Sequence, residues 1–204
     1  MIKFISYMVC STFLITIGCK KNIADPKLFV DATYEVLDIC VKKDQLVLNQ
    51  NEGKWYYRTI PFNGFAITYH ANGKLKEKIG YYKGKKEGVA KKWFDNGLLQ
   101  KESFYIQNHL DGKVTVWWSN GKIASQARYI NGVRDGVQQK WFQSGSLAKK
   151  TYLENGKENG MQQAWLENGK IYVNYEARNG RVFGLQRADL CYQLKKEKIK
   201  EKYK

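Results

Sequence analysis

The sequence predicts an all-β protein, an elongated single-layer antiparallel sheet built from tandem 24-residue β-hairpins. Three ladders of residues predict it. Gly64, Gly88, Gly112, Gly136, Gly160 and Gly184 are spaced 24 residues apart, and Gly73, Gly97, Gly121, Gly145 and Gly169 repeat the step nine residues further on. A third ladder runs through Gly84, Gly132, Gly156 and Gly180, with Asn108 at the corresponding place in the second unit. Glycine enters the left-handed backbone region freely and asparagine tolerates it best among the rest, so these ladders mark periodic chain reversals. Between them lie β-formers: Tyr69, Trp93, Trp117, Trp141 and Trp165 hold one slot, and Leu75, Leu99, Ile123, Leu147 and Ile171 another. The chain reads as strand, turn, strand, turn, with neighbouring hairpins joined into one ribbon.

Residues 1–18 read as a signal segment. Met1-Ile2-Lys3 precedes an apolar run over residues 4–17, shorter than the about 20 residues that a membrane-spanning helix takes. Gly18-Cys19 resembles the lipobox of bacterial lipoprotein signals, with Thr16 where that pattern favours leucine. Acylation of Cys19 would make it the first mature residue and lipid-anchor the chain in the bacterial envelope, at the outer membrane of a Gram-negative cell. An ordinary signal cut elsewhere is the alternative. Residues 19–52 are expected to form a tether, beginning Lys20-Lys21-Asn22, and an N-terminal cap over the first hairpin, drawing on Phe29-Val30 and the stretch 34–48.

Processing at Cys19 would leave Cys40 and Cys191 as the remaining thiols. A straight array adds about 10 Å per two-strand unit and separates its ends by roughly 50 Å, whereas a disulfide needs Cα atoms within about 7 Å. Two separate, buried thiols are therefore expected.

Residues 53–63 read as an opening hairpin, and residues 64–183 as five units: 64–87, 88–111, 112–135, 136–159 and 160–183. Asn72-Gly73, Asn96-Gly97, Asn120-Gly121 and Asn168-Gly169, with Ser144-Gly145 as a substitute, predict two-residue hairpin turns at one end of each unit. Asn131-Gly132, Asn155-Gly156 and Asn179-Gly180 predict the same at the other. A two-residue turn pairs its flanks, so Phe94 is expected opposite Leu99, Trp118 opposite Ile123 and Phe142 opposite Leu147. That would send Trp93, Trp117, Trp141 and Trp165 to the other face as a ladder about 10 Å in step. Residues 184–204 close the chain as a C-terminal cap and basic tail.

The runs Gly88-Val-Ala-Lys-Lys-Trp93-Phe94-Asp-Asn96-Gly97 and Gly136-Val-Gln-Gln-Lys-Trp141-Phe142-Gln-Ser-Gly145 resemble the bacterial variant of the MORN repeat. The stretch from Glu52 through Trp55 and Pro61 to Gly64 resembles the hairpin that commonly opens such arrays. The resemblance implies a scaffold or binding role, with phospholipid contact proposed for some relatives, and no catalytic residue. It also implies kinship with YwqK-type antitoxin-like proteins, hence an alternative as inhibitor of a co-encoded effector.

The residues offer little for chemistry. His70 and His109 stand alone and outside any zinc-ligand spacing, so no metal and no cofactor is expected. His70 occupies the slot of Phe94, Trp118 and Phe142, which points to core packing or an edge position. Glu87, Asp111, Asp135 and Asn159 each precede a repeat-closing glycine and read as turn chemistry rather than paired catalytic acids. An envelope-polymer hydrolase is the weakest alternative. The formal net charge of +16 predicts attraction to anionic surfaces, and the expected partner is an unknown protein or an anionic envelope surface. The lysines are scattered, which disfavours nucleic acid. Trp93, Trp117, Trp141 and Trp165 are the candidate binding face, because aromatic faces flanked by cations stack on ligands. Recurrence at a fixed slot is also what mutual packing produces, and packing is the stronger reading.

Overall fold

The structure is a computed structural model that describes residues 35–185. The signal segment, Cys19, most of the tether with Phe29-Val30, Cys191 and the tail from residue 186 onward lie outside the described residues.

The units form hairpins in chain order: β5 (Gly64–Tyr69) with β6 (Leu75–Tyr82), β7 (Lys85–Trp93) with β8 (Leu99–Ile106), and β10 (Gly112–Trp117) with β11 (Ile123–Ile130). They continue as β13 (Gly136–Trp141) with β14 (Leu147–Glu154) and β15 (Lys157–Trp165) with β16 (Ile171–Arg178), and end on β17 (Arg181–Leu185). Two short strands, β9 (His109–Leu110) and β12 (Val133–Arg134), pair with β8 and β11 beside the path of the sheet. Each strand lies beside its sequence neighbour, so the sheet is antiparallel throughout the repeats.

The turns between units are two-residue turns with both central residues at positive φ, as in Asn131 at 48° and Gly132 at 82°. This is the type I′ pattern, whose twist matches that of the flanking strands. Lys83 at 47° and Gln107 at 47° adopt it as well, without glycine's freedom or asparagine's tolerance.

The turns within units differ from expectation. The Phe94 N–H donates to the Leu98 carbonyl at 2.9 Å and the Gly97 N–H to the Phe94 carbonyl at 2.9 Å. Gly97 has φ +92°, whereas Asn96 is not among the positive-φ residues. The loop therefore holds three residues, Asp95-Asn96-Gly97, with glycine at the bulge position. The other four hairpins close the same way. Phe94, Trp118 and Phe142 accordingly do not pair with Leu99, Ile123 and Leu147. Trp93 does so with Leu99, Trp117 with Ile123, Trp141 with Leu147 and Trp165 with Ile171. Directly paired side chains share a face, so the tryptophans stand with the aliphatic slot and not opposite it. One extra loop residue reverses the assignment because side-chain direction alternates at every step.

The N-terminal end is not a single layer. β1 (Cys40–Lys42) pairs in parallel with β5, a 3-10 turn (Lys43–Gln45) follows, and β2 (Leu46–Asn49), β3 (Lys54–Tyr57) and β4 (Ile60–Pro61) form a separate three-stranded sheet. Leu46 and Phe62 bury themselves against Ala66, Ile79, Tyr81 and Ala90, with Trp55, Tyr57 and Tyr105 at the margin. Tyr81 is fully buried, and its ring centroid lies 5.9 Å from Phe62 and 6.2 Å from Trp55. A thin sheet has no interior of its own, and this second layer supplies one. Gly64 is required where Ile39 crosses, since a Cβ there would lie 2.5 Å from the Ile39 carbonyl oxygen. Cys40 is free and exposed, a correction to the buried thiol expected: it sits on the outermost strand, beyond the core that Val41 enters.

Candidate functional site

Two rows of side-chain bonds tie the first four units together. At the three-residue loops, Asn96 accepts the Leu98 N–H on Oδ1 at 2.9 Å and donates from Nδ2 to the Ser119 carbonyl at 3.2 Å. Asn72 repeats this toward Asp95, and Asn120 toward Gln143. At the opposite ends of the strands the acids do the joining. Asp111 Oδ2 accepts the Asn131 N–H at 3.0 Å, and Asp135 Oδ2 the Asn155 N–H at 3.0 Å. Glu87, 1% exposed, accepts from the Gln107 N–H at 2.9 Å and its Nε2 at 3.2 Å. Asn159 departs from the row, donating to Glu154 instead. These carboxylates hold turns that need a backbone donor satisfied.

His70 joins the same scheme. Its Nε2 lies 2.9 Å from the Trp93 carbonyl of the next unit, and Trp118, in the equivalent slot, donates from Nε1 to the Trp141 carbonyl at 3.3 Å. His109 is exposed. Among the described residues no three His, Cys, Asp or Glu side chains gather as a metal site requires.

Trp93, Trp117, Trp141 and Trp165 are all half-buried. The ring pairs formed among the described residues are Trp55–Tyr81, Tyr57–Phe62 and Phe62–Tyr81, so the four tryptophans do not stack on one another. Cations lie over other rings: Lys78 at 4.0 Å from the Phe65 centroid and Lys86 at 5.1 Å from that of Tyr105. Burial lowers the pKa of the Lys86 ammonium, and the charges of Lys43 and Lys101 add to it against the opposing pull of Glu77.

A groove of about 600 Å³ opens over the last two units, with Lys149, Gln162, Ala164, Val173 and Tyr175 along it. Gln162 is 1% exposed and donates from Nε2 to the Tyr152 carbonyl at 2.8 Å. Tyr175 donates its hydroxyl to Glu158 at 2.7 Å, and burial together with that bond pushes its pKa up to about 12. The sequence carried a signal for this change of character. The slot of Ala66, Ala90 and Val114 becomes Gln138 and Gln162 along the period. Beneath the second layer an alanine fills that slot, at Ala66 and Ala90; further along, the Gln138 amide donates toward the Arg128, Asp135 and Gly136 carbonyls and that of Gln162 toward the Gly160 carbonyl.

The repeat family described as MORN repeat variant matches residues 64–83, 86–107 and 110–131, so the chain carries that repeat in three tandem copies over its first three hairpins. No curated protein matches the chain.

Proposed function

We propose that this protein is a non-catalytic, lipid-anchored scaffold of the bacterial envelope, tethered through Cys19 and presenting its basic repeat sheet to a protein or to an anionic surface. The observation that carries this reading is the use made of the periodic polar side chains. Asn72, Asn96, Asn120, Asp111, Asp135 and Glu87 are spent on holding one hairpin to the next. A hydrolase of envelope polymers needs acids facing each other across a cleft, and these face backbone donors instead. The tandem MORN repeat variants add support, being units that stack to extend a surface.

Mass spectrometry of the mature protein tests the anchor, with a diacylated or triacylated Cys19 expected at the N-terminus. An unmodified first residue at any other position removes the anchored form. Crosslinking in cells then reads what the sheet touches. Capture of a single co-encoded effector, with loss of that effector's toxicity, would replace the scaffold reading by an inhibitor.

A further inference from the structure

Lysines stand directly opposite lysines twice on one face of the sheet. Lys92 pairs with Lys101, and Lys140 with Lys149. The two pairs belong to one unbroken row, since Lys101 is opposite Val116, Val116 opposite Ser125 and Ser125 opposite Lys140. Directly paired residues share a face. Neighbouring strands lie about 4.8 Å apart, so the lysines of a pair sit one strand apart and the two pairs are centred about 19 Å apart.

The arrangement follows the repeat. The second and fourth units place lysine at both slots, whereas the first holds Thr68 and Glu77, the third Val116 and Ser125, and the fifth Ala164 and Val173. Like charges directly opposite destabilise a sheet, and no ion pair among the described residues relieves these four. Glu77, the carboxylate opposite Lys92, is bonded by Lys43 at 3.2 Å. Lys86, close enough to Lys101 to feel its charge, adds a further cation near the first pair. The groove over the last units reaches Lys149, so the row opens into space at that end.

The side chains also narrow the ligand. None of the row's own slots holds an aromatic residue on which a base would stack. Of the rings near it, Trp118 is tied down by its bond to the Trp141 carbonyl and Tyr175 by its bond to Glu158. The row has no arginine to grip a planar carboxylate through two bonds. Lysine is a compact point charge that suits phosphate oxygens approached from many directions.

We propose that this row binds a linear, base-free phosphate polymer lying across the strands, with phosphates seated on the Lys92–Lys101 and Lys140–Lys149 pairs. The inference deepens the anionic-ligand arm of the scaffold reading and rests on it. One chain spanning both pairs makes the second contact intramolecular, so a long polymer binds far more tightly than a short one.

The test is titration of the full mature chain with long-chain inorganic polyphosphate and, separately, with tripolyphosphate. Each double substitution, Lys92→Gln with Lys101→Gln or Lys140→Gln with Lys149→Gln, is expected to weaken long-chain binding by about tenfold or more through lost bridging. Each should also flatten the salt dependence by about 1 to 2 units of log–log slope. Lys113→Gln with Arg128→Gln removes the same charge from a like-charged pair on the other face and should weaken binding less than threefold by the long-range field alone. Melting of the row variants should be unchanged or higher, and Lys92→Arg with Lys101→Arg should retain binding, which separates a lost site from a lost fold.

Equal loss from the control pair would overturn the inference, as would tripolyphosphate binding as tightly as the long chain. So would stronger binding of single-stranded RNA or phosphatidylglycerol vesicles through the same four lysines. A chain that ignores polyphosphate yet keeps its acylated Cys19 and captures a protein leaves the scaffold reading intact. A chain without anchor or captured partner loses that reading whatever the titration gives.

Discussion

Replacing Asn120 by aspartate separates two bonds that one side chain makes at once. Oδ1 accepts the Lys122 N–H within its own loop at 3.0 Å, and Nδ2 donates to the Gln143 carbonyl of the following hairpin at 3.1 Å. Aspartate keeps the acceptor, loses the donor and turns an oxygen toward a carbonyl. A net hydrogen bond contributes about 0.5–1.5 kcal/mol, so Asn120→Asp should cost about 1 kcal/mol. The Lys122 ammonium, already donating to the Ser144 carbonyl, would return at most about 0.5 kcal/mol at this exposed site. Asn120→Ala removes both bonds and should cost about 2 kcal/mol. Asn72 and Asn96 make the same pair of bonds in the preceding loops. The triple aspartate variant should therefore lose about 3 kcal/mol, with sites one repeat apart adding to within a few tenths. At about 2–4 °C per kcal/mol for a chain of this size, its Tm should fall by about 6–12 °C. Urea unfolding followed by tryptophan fluorescence measures the loss. A triple variant with the midpoint and slope of the parent would refute the claim that these loops join the hairpins.

Two further outcomes follow from the turns and the groove. Lys83→Asn places at φ 47° the residue that Asn131, Asn155 and Asn179 supply in equivalent turns. Relief of left-handed strain should outweigh loss of the contact 5.3 Å from the Tyr82 ring, raising stability by about 0.5 kcal/mol on balance; a lower melting temperature would show the ring contact to dominate. The Tyr175 hydroxyl, raised from 10.0 to about 12 by burial and then by its bond to Glu158, favours its protonated form in the fold. Its contribution is fully present below pH 10 and is lost as pH rises toward 12. Urea midpoints of Tyr175→Phe and parent should differ at neutral pH and converge across that window; a constant gap would show that Tyr175 is not the titrating group.

The periodic glycines made the hairpin array legible because left-handed backbone is a demand few residues meet. Asn131-Gly132 behaved as that demand predicts. Asn96-Gly97 did not, although the dipeptide is the same, because Asp95 supplies a first turn position and the Asn96 side chain bonds forward to Leu98 instead of letting Asn96 adopt positive φ. That single residue moved Trp93 opposite Leu99. It also hid the lysine row, whose continuity depends on cross-strand register that local patterns do not carry. The stretch through Trp55 and Pro61 was legible as an opening hairpin, but the parallel pairing of β1 with β5 through Cys40, at the edge of the long sheet, joins segments distant in sequence and left no local trace. Gln138 and Gln162 stood in view as substitutions in an otherwise apolar slot; their meaning emerges only where the covering layer ends.

The main-chain joints between turns bear on how such a chain changes size. Gly84 donates to the Phe62 carbonyl, Asn108 to Lys86, Gly132 to Leu110 and Gly156 to Arg134, each bond reaching back 22 residues. A joint made from backbone at a constant offset is indifferent to which unit stands on either side. Copies can be gained or lost like links in a gauge, each resetting its span by about 10 Å. Features confined to alternate links change their separation only in multiples of that step.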